Sequence, residues 1–339
     1  MGKNAGGFME QKKSVDPVNL YMTDAYHKNL EIYAQGFPIM LILQLSSFCN
    51  YECIMCKRQV LVKERTVTGF NNGHMSLELI KELTNQCKDK VGFLGFQFAL
   101  YGEPMMNPEF LSIVEHIKSK NIKLQLVTNG SFLTSEMANS LIDLGLDKIK
   151  ISFQGATKER YQFWRASKRY DEIVNNVKEL VELRNSKKSK LFIQVGTSSC
   201  DDSEEELKDF ISQWSSVVDN CYWNYSALTH VLDDPLIQGR IPYINHQAPL
   251  RKEKCKEPFK RMAAMWNGDV PPCVSVESNF CGNLYKSSIA EIWNGKEFRR
   301  ARQTIIEKGN IITDFCSKCC VQPEPTKTYS HRYESKNGD

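Results

Sequence analysis

Short apolar runs alternate with longer amphipathic stretches from about residue 39 onward, and this alternation constrains the fold more than any other feature. Apolar runs of a few residues predict buried strands, whereas apolar residues at helical spacing predict helices packed on a sheet. Strands that alternate with helices form parallel sheets with right-handed crossovers. We predict strands over Ile39–Leu45, Phe93–Leu100, Lys123–Thr128, Lys148–Phe153, Leu191–Thr197 and Asn220–Tyr225. We predict helices over Ser76–Cys87, Pro108–Lys118, Ser135–Leu144, Tyr170–Leu183 and Ser203–Trp214.

Three closely spaced cysteines follow the first predicted strand. Periodicity does not decide whether the sheet lies open or curls toward a barrel, but in both architectures ligands bind at the carboxyl ends of the strands. Cys49, Cys53 and Cys56 are separated by three and then two residues. Thiolates so spaced can hold three irons of a cubane 4Fe–4S cluster and leave the fourth iron open for chemistry. The alternative is a zinc knuckle, which three clustered thiolates do not complete.

Turns of distinctive sequence follow the second, third and fourth predicted strands. In Tyr101-Gly-Glu-Pro104 the glycine lets a ligand approach the backbone, the carboxylate can pair with an ammonium group, and the proline fixes the turn. The third strand ends in Thr128-Asn-Gly130 and the fourth in Ser152-Phe-Gln-Gly155. The first two are also ordinary turn sequences, which leaves a purely structural role open for them.

A second group of cysteines lies beyond residue 250. Cys255 and Cys273 flank Asn267-Gly268, which predicts a β-hairpin that turns there with a thiolate on either side. Downstream lie Cys281 and the sequence Cys316-Ser-Lys-Cys319-Cys320. Four of these thiolates would form either an iron–sulfur cluster or a structural zinc site.

These patterns divide the chain into five parts. We predict an N-terminal extension over 1–38, a core over 39–230, a linker over 231–250, a cysteine-rich unit over 251–322 and a tail over 323–339.

Composition excludes several classes of protein. Lys and Arg total 44 against 40 Asp and Glu, and no basic stripe with interleaved aromatic residues is present, so we expect no nucleic-acid partner. No apolar run approaches the length that crosses a bilayer, and the N-terminus lacks the apolar segment of a signal peptide. Twelve cysteines without such a signal favour metal ligation in a reducing cytoplasm over disulfides, so we expect a cytoplasmic protein without a membrane partner.

The motifs along residues 41–165, in this order, resemble the radical S-adenosylmethionine (SAM) enzyme superfamily. The second cysteine unit resembles the auxiliary-cluster domain known as SPASM, or twitch in its shorter form. The branch with this domain includes aminocyclitol dehydrogenase-like and sugar-modifying members. The resemblance implies an α/β fold, namely a partial (β/α)6 barrel with a small C-terminal iron–sulfur auxiliary domain.

The resemblance also implies roles for individual residues. Cys49, Cys53 and Cys56 would bind a 4Fe–4S cluster whose open iron binds SAM. Residues that match the SAM-binding motifs are Gly102, Glu103, Pro104, Asn129, Ser152, Gln154 and Arg165. For Arg165 the alternative is a solvated position on a helix. Two departures weaken the match, because Tyr101 replaces a glycine and Gln154 an acid. One auxiliary 4Fe–4S cluster would be held by Cys255, Cys273, Cys316 and Cys319. The remaining candidates, as hydrogen-donor thiols, are Cys281, Cys320 and Cys200.

The implied activity is reductive cleavage of SAM to a 5′-deoxyadenosyl radical that abstracts a substrate hydrogen. We expect an oxidoreductase that oxidises a small sugar-like or aminocyclitol alcohol and takes electrons from a flavodoxin- or ferredoxin-type donor. A radical epimerase or decarboxylase of a sugar or nucleoside, and a peptide-modifying maturase, remain alternatives. A non-catalytic iron–sulfur or zinc scaffold is the alternative from another class, and it would need none of the SAM-binding residues.

Overall fold

An eight-stranded sheet forms the centre of the fold in the computed structural model, which describes residues 36–63, 71–226, 237, 255–274, 280–308 and 329–330. The strands are β1 (Met40–Leu43), β2 (Gly95–Phe98), β3 (Leu124–Thr128), β4 (Lys148–Gln154), β5 (Phe192–Ser199), β6 (Asn220–Tyr225), β7 (Arg261–Ala264), β8 (Asp269–Val270), β9 (Gly282–Asn283) and β10 (Tyr329–Ser330). The order across the sheet is β10-β6-β5-β4-β3-β2-β1-β7, and β8 pairs with β9 separately. Neighbours from β6 to β7 are parallel, whereas β10 is antiparallel to β6. The six predicted strands are therefore confirmed as β1–β6.

Helices connect the parallel strands and cover one face of the sheet. They are α1 (Lys57–Lys63), α2 (Leu77–Cys87), α3 (Phe110–Ser119), α4 (Ser135–Asp143), α5 (Lys158–Arg165), α6 (Tyr170–Ser186), α7 (Glu204–Trp214), α8 (Glu257–Lys260), α9 (Ile289–Trp293) and α10 (Lys296–Lys308). The five predicted helices are confirmed, whereas α1 and α5 were not predicted because each is only about two turns long. Among the described residues, no helix is long and apolar enough to cross a membrane.

The turn predicted around Asn267-Gly268 is confirmed, because the Met265 amide donates to the Asp269 carbonyl across it at 2.8 Å. The Gly268 amide also donates to the Met265 carbonyl at 2.9 Å. The arm before the turn, however, is β7, which pairs in parallel with β1 in the main sheet. The arm after the turn, β8, pairs antiparallel with β9. Pairing with β7 covers the edge that β1 would otherwise expose.

The two faces of the sheet differ in polarity. Phe153 on β4 packs against the rings of Tyr161, Tyr170, Phe210 and Trp214 on the surrounding helices. Because side chains alternate along a strand, the neighbouring positions project from the opposite face, which we call the inner face. Register places inner-face residues of β4, β5 and β6 side by side, and these include Lys150, Ser152, Gln194, Gly196, Asn220 and Tyr222. The helix-covered face is thus the apolar core and the inner face is polar.

Candidate active site at the carboxyl ends of the strands

The cysteine loop follows β1 and is held by α5. The Ile54 amide donates to the Trp164 carbonyl at 2.9 Å, and the hydroxyls of Tyr51 and Tyr161 lie 3.2 Å apart. From its other side the Arg58 Nε donates to the Ser47 carbonyl at 2.6 Å. These bonds fix the backbone from which the three cysteines project, so the loop is built as a rigid ligand-presenting segment.

Two nitrogen donors lie against the sulfurs of this loop. Asn129 Nδ2 lies 4.0 Å from Cys49 Sγ, and Arg165 Nη1 lies 3.7 Å from Cys53 Sγ. Hydrogen-bond donors around a sulfur stabilise the thiolate and tune the potential of an iron–sulfur cluster. The loop therefore offers the environment that thiolate ligands need.

Burial opposes ionisation of these thiols in the absence of a cation. Desolvation raises the pKa of Cys56 to about 11, with the neighbouring Cys53 adding to the rise. Desolvation likewise raises the pKa of Cys49. Within the described ranges, no three His, Cys, Asp or Glu side chains surround a point as the ligands of a single ion do. A cubane cluster spreads its thiolates over different irons and supplies the positive charge that buried thiolates require, so the loop fits a cluster.

Glu103 is a buried carboxylate at the carboxyl end of β2, only 1% exposed. Its Oε1 accepts from Thr128 Oγ1 at 2.8 Å and from the Met105 amide at 3.4 Å, while its Oε2 accepts from the Asn129 amide at 2.8 Å. Desolvation raises its pKa to about 7, although these hydrogen bonds lower it. Glu103 thus ties the turn after β2 to the turn after β3, and a nearby cation would favour its ionised form.

Gly102 is required by the backbone of the cysteine loop. Its φ is +91°, and a Cβ at this position would lie 2.0 Å from the Ser46 carbonyl oxygen. The next amide, that of Glu103, donates to the Phe48 carbonyl at 2.7 Å. The close approach at Gly102 is therefore made by the protein backbone, and the turn and the cysteine loop form one unit. Pro104 continues this turn as the first residue of a short 3-10 helix, Pro104–Met106.

A network of amides and hydroxyls around Asn129 was not predicted from the sequence. Asn129 Nδ2 donates to Asn50 Oδ1 at 2.9 Å, and Asn129 Oδ1 accepts from the Ser131 hydroxyl at 2.6 Å. Asn50 Nδ2 donates in turn to Ser131 Oγ at 2.8 Å. Asn50 directly follows Cys49, so its place inside the cysteine motif was the signal that could have identified it.

Arg165 occupies a buried position between the cysteine loop and β4. It donates through Nη2 to the Ser152 carbonyl, and its guanidinium carbon lies 5.9 Å from the ring centroids of both Tyr51 and Tyr161. Its Nε is buried and has no hydrogen-bond partner among the described residues. The solvated-helix alternative for Arg165 is therefore wrong. A buried, unsatisfied donor beside the cysteine loop suits an anionic ligand such as a carboxylate.

Ser152 and Gln154 do not lie together at the cysteine loop. Only the carbonyl of Ser152 is engaged there, by Arg165. Gln154 Nε2 instead donates to the Ser198 carbonyl and Ser226 Oγ, and lies 3.2 Å from Cys200 Sγ. The geometry thus directs Gln154 toward β5 and β6. Desolvation raises the pKa of Cys200 to about 12, so this thiol is neutral.

The second cysteine unit is described only in part. The Cys281 amide donates to the Val270 carbonyl at 2.7 Å beside β8, and desolvation raises the pKa of its thiol to about 12. Cys255 and Cys273 are half-buried. The remaining cysteines of the unit, Cys316, Cys319 and Cys320, lie outside the described residues. The predicted auxiliary ligand set therefore stays a prediction.

Comparison with known proteins identifies two domains. The chain matches the family model of the radical SAM superfamily over residues 43–211 and that of SPASM, an iron–sulfur cluster-binding domain, over residues 255–320. It is 24% identical to the S-adenosyl-L-methionine-dependent 2-deoxy-scyllo-inosamine dehydrogenase of Niallia circulans, across 86% of this chain and 97% of that protein. By contrast, the chain spans 30% to 41% of the length of the first curated relatives it matches.

Solved structures show the same fold. BtrN in complex with AdoMet and 2-DOIA superposes with a TM-score of 0.53 at 20% identity, covering 83% of this chain and 92% of that chain. Streptococcus suis SuiB bound to the precursor peptide SuiA superposes with a TM-score of 0.59 at 15% identity, covering 90% of this chain and 75% of that one. At these identities the likeness is one of fold, and it confirms a partial-barrel α/β core with a C-terminal auxiliary domain. Together the two domains imply iron–sulfur clusters and SAM as cofactors of an enzyme. The chain belongs to the SPASM branch of the radical SAM superfamily.

Proposed function

We propose that this enzyme oxidises a small sugar-like or aminocyclitol alcohol. The observation that carries the proposal is the convergence of Glu103, Asn129 and Arg165 on the cysteine loop, which a scaffold protein would not need. When bound, the clusters and SAM would supply the oxidation, in which the alcohol loses a hydrogen atom, one further electron and a proton. We expect a flavodoxin- or ferredoxin-type protein to provide the initiating electron.

In this proposal Cys49, Cys53 and Cys56 hold the SAM-binding cluster. Asn129 and Arg165 act on the ligands themselves, because each places an N–H group within 4.0 Å of a cysteine sulfur. The tyrosine rings of Tyr51 and Tyr161 flank the arginine and exclude water from it. The chain thereby keeps the ligand sulfurs in a dry, donor-rich environment.

The same turns provide polar groups of both signs for the cofactor. Arg165 Nε is the buried donor left for the SAM carboxylate. A carboxylate has about four acceptor positions, and Glu103 uses three of them within the protein. The remaining position would accept from the SAM ammonium group. This pairing would also offset the desolvation that now raises the pKa of Glu103.

Oxidation is favoured over epimerisation by two observations. The aligned dehydrogenase extends over both domains of this chain, including the region of the auxiliary cysteines. An epimerase must return a hydrogen atom from a thiol. Of the described candidates, Cys200 is buried, and Cys281 is partly buried against the hydrophobic core. In our proposal Cys255, Cys273, Cys316 and Cys319 would hold one auxiliary cluster, which would supply an electron acceptor.

Iron content and SAM cleavage test the cofactor assignment. Anaerobically reconstituted protein should hold about eight irons per chain, as two cubanes require. Replacing Cys49, Cys53 and Cys56 together by alanine should leave about half of this iron and abolish formation of 5′-deoxyadenosine. The control is Cys87→Ala, which removes a core cysteine at the end of α2. Zinc in place of iron, or full iron in the triple variant, would contradict the assignment.

Turnover in deuterated water tests the reaction type. With the true substrate, mass spectrometry should find a product lighter by two hydrogens. A product of unchanged formula that carries one solvent deuterium at carbon, and that is lost in Cys200→Ala or Cys281→Ala, would establish epimerisation instead.

A further inference from the structure

Lys150 places a positive charge on the inner face near the middle of β4. Its Nζ lies 5.1 Å from the centroid of the Tyr222 ring. No salt bridge to this lysine is formed within the described ranges. Strands β1–β6 themselves contain no Asp or Glu. The charge on this face is therefore not balanced by a carboxylate from the strands that form it.

Neighbouring inner-face amides are paired with one another. Gln194 lies beside Lys150 in the β4–β5 register, and Asn220 lies beside Gln194 in the β5–β6 register. Gln194 Nε2 donates to Asn220 Oδ1 at 2.8 Å. Parallel strands covered on both faces are ordinarily apolar throughout, whereas this face carries these amides beside the partly buried Lys150. The polarity of this face suits a polar ligand.

Gly196 allows Tyr222 to reach the lysine. A Cβ on Gly196 would lie 2.6 Å from Tyr222 Cζ, so the missing side chain is the space that the ring occupies. The ring then extends across β5 to the lysine on β4 and holds the ammonium by a cation–π contact. A contact of this kind orients the ammonium without neutralising its charge.

Lys150 lies on the strand that leads to the cysteine loop. Ser152 follows two residues later on the same strand and face, about 6.6 Å further along. The carbonyl of Ser152 is bound by Arg165, which touches Cys53. A molecule that bound at the cysteine loop and extended along β4 toward its middle would meet the ammonium of Lys150.

From this arrangement we infer that Lys150 binds an anionic group, a phosphate or a carboxylate, on the substrate. This inference rests on the function proposed above, and it narrows the proposed substrates to those that carry an anionic group. A protonated amine at this position would be repelled, so a free aminocyclitol does not place its amine here. Neutral hydroxyl groups nearer the cysteine loop would remain available for oxidation.

Anion-specific stabilisation of the reconstituted holoenzyme tests the inference. We would measure the melting temperature in sodium phosphate, sodium acetate and sodium chloride at equal ionic strength and without SAM. Phosphate or acetate should raise the melting temperature above that in chloride, since a ligand stabilises the state that binds it. Lys150→Met, which keeps the aliphatic stem, should abolish the rise and Lys150→Arg should retain it. The control is Lys178→Met, which removes an exposed lysine on α6.

Calorimetry then distinguishes the two anion classes. Glucose 6-phosphate and gluconate serve as phosphate and carboxylate probes, with glucose and glucosamine as the neutral and cationic counterparts. At least tenfold tighter binding of one anionic probe than of glucose, lost in Lys150→Met, supports the inference and names the class. Equal effects of chloride, phosphate and acetate on the wild-type protein overturn it, as does a phosphate effect unchanged in Lys150→Met. Iron content and SAM cleavage are measured separately, so failure here does not contradict the proposed function.

Discussion

Glu103→Gln separates the charge of this residue from its structural role. In the folded protein, Gln Oε1 can accept from the Asn129 amide while its amide group donates to Thr128 Oγ1, because a hydroxyl also accepts. The shape and the contacts with Asn129 and Thr128 are kept. The negative charge is removed, and the Met105 amide loses its 3.4 Å contact with the carboxylate. The variant should therefore fold and bind iron like the wild-type protein.

Loss of the charge should weaken SAM binding. A hydrogen bond to a charged group contributes about 1.5–3 kcal/mol, which corresponds to roughly a ten- to hundredfold rise in Kd. Titration calorimetry of reconstituted protein measures this change. The control is Glu136→Gln, which removes a carboxylate from the first turn of α4.

An alternative result would assign Glu103 to structure alone. If Glu103→Gln binds SAM like the wild-type protein while Glu103→Ala melts at lower temperature, the carboxylate only joins the turns after β2 and β3. Alanine leaves three buried donors without this acceptor, at a cost of about 1–3 kcal/mol each. That combination would refute the role in SAM binding.

Three further predictions concern the same turns. Gly102→Ala should lower both the melting temperature and the iron content, because the new Cβ would overlap the Ser46 carbonyl. The control Gly92→Ala, at a glycine that also has positive φ but has open space around it, should keep full iron. Arg165→Lys should raise the KM for SAM in steady-state assays, since an ammonium cannot replace the planar fork that spans Ser152 and Cys53; an unchanged KM would contradict this. Burial raises the pKa of Glu103 to about 7. The protonated side chain therefore contributes stability to the ligand-free protein that is fully present below pH 4.5 and is lost as pH rises to 7. Urea unfolding should show a weaker pH dependence of stability in Glu103→Gln.

Local periodicity predicted most of the core. Strands β1–β6 and the longer helices were identified because each carries its own apolar pattern, and parallel pairing then placed the motif turns at one edge. The short helices α1 and α5 were not predicted, because two turns contain too few repeats of the apolar pattern. The pairing of β7 with β1 joins residues more than 200 positions apart, and no local pattern specifies such a partner.

Side-chain partners in the site were less predictable than its position. The glycine of the second motif was expected to admit a ligand, and it admits the Ser46 carbonyl instead. The alternation of side chains along β4 places Gln154 on the inner face, but it does not reveal that the Gln154 amide donates to Ser198 and Ser226. Such details depend on the shapes of neighbouring turns, which residue identity alone does not determine.

The placement of β7 has a consequence for the order in which the protein can form. During synthesis β1 emerges early, whereas its neighbour on the outer edge is completed only after residue 264. Until then the β1 edge, next to the cysteine loop, is open to pairing with other chains. Gln44, just beyond β1, also lacks a partner until this segment is made, since its Oε1 accepts from the Trp266 amide at 3.1 Å in the folded protein. A fragment that stops after β6 should therefore aggregate, even though it contains every residue we assign to the SAM-binding cluster.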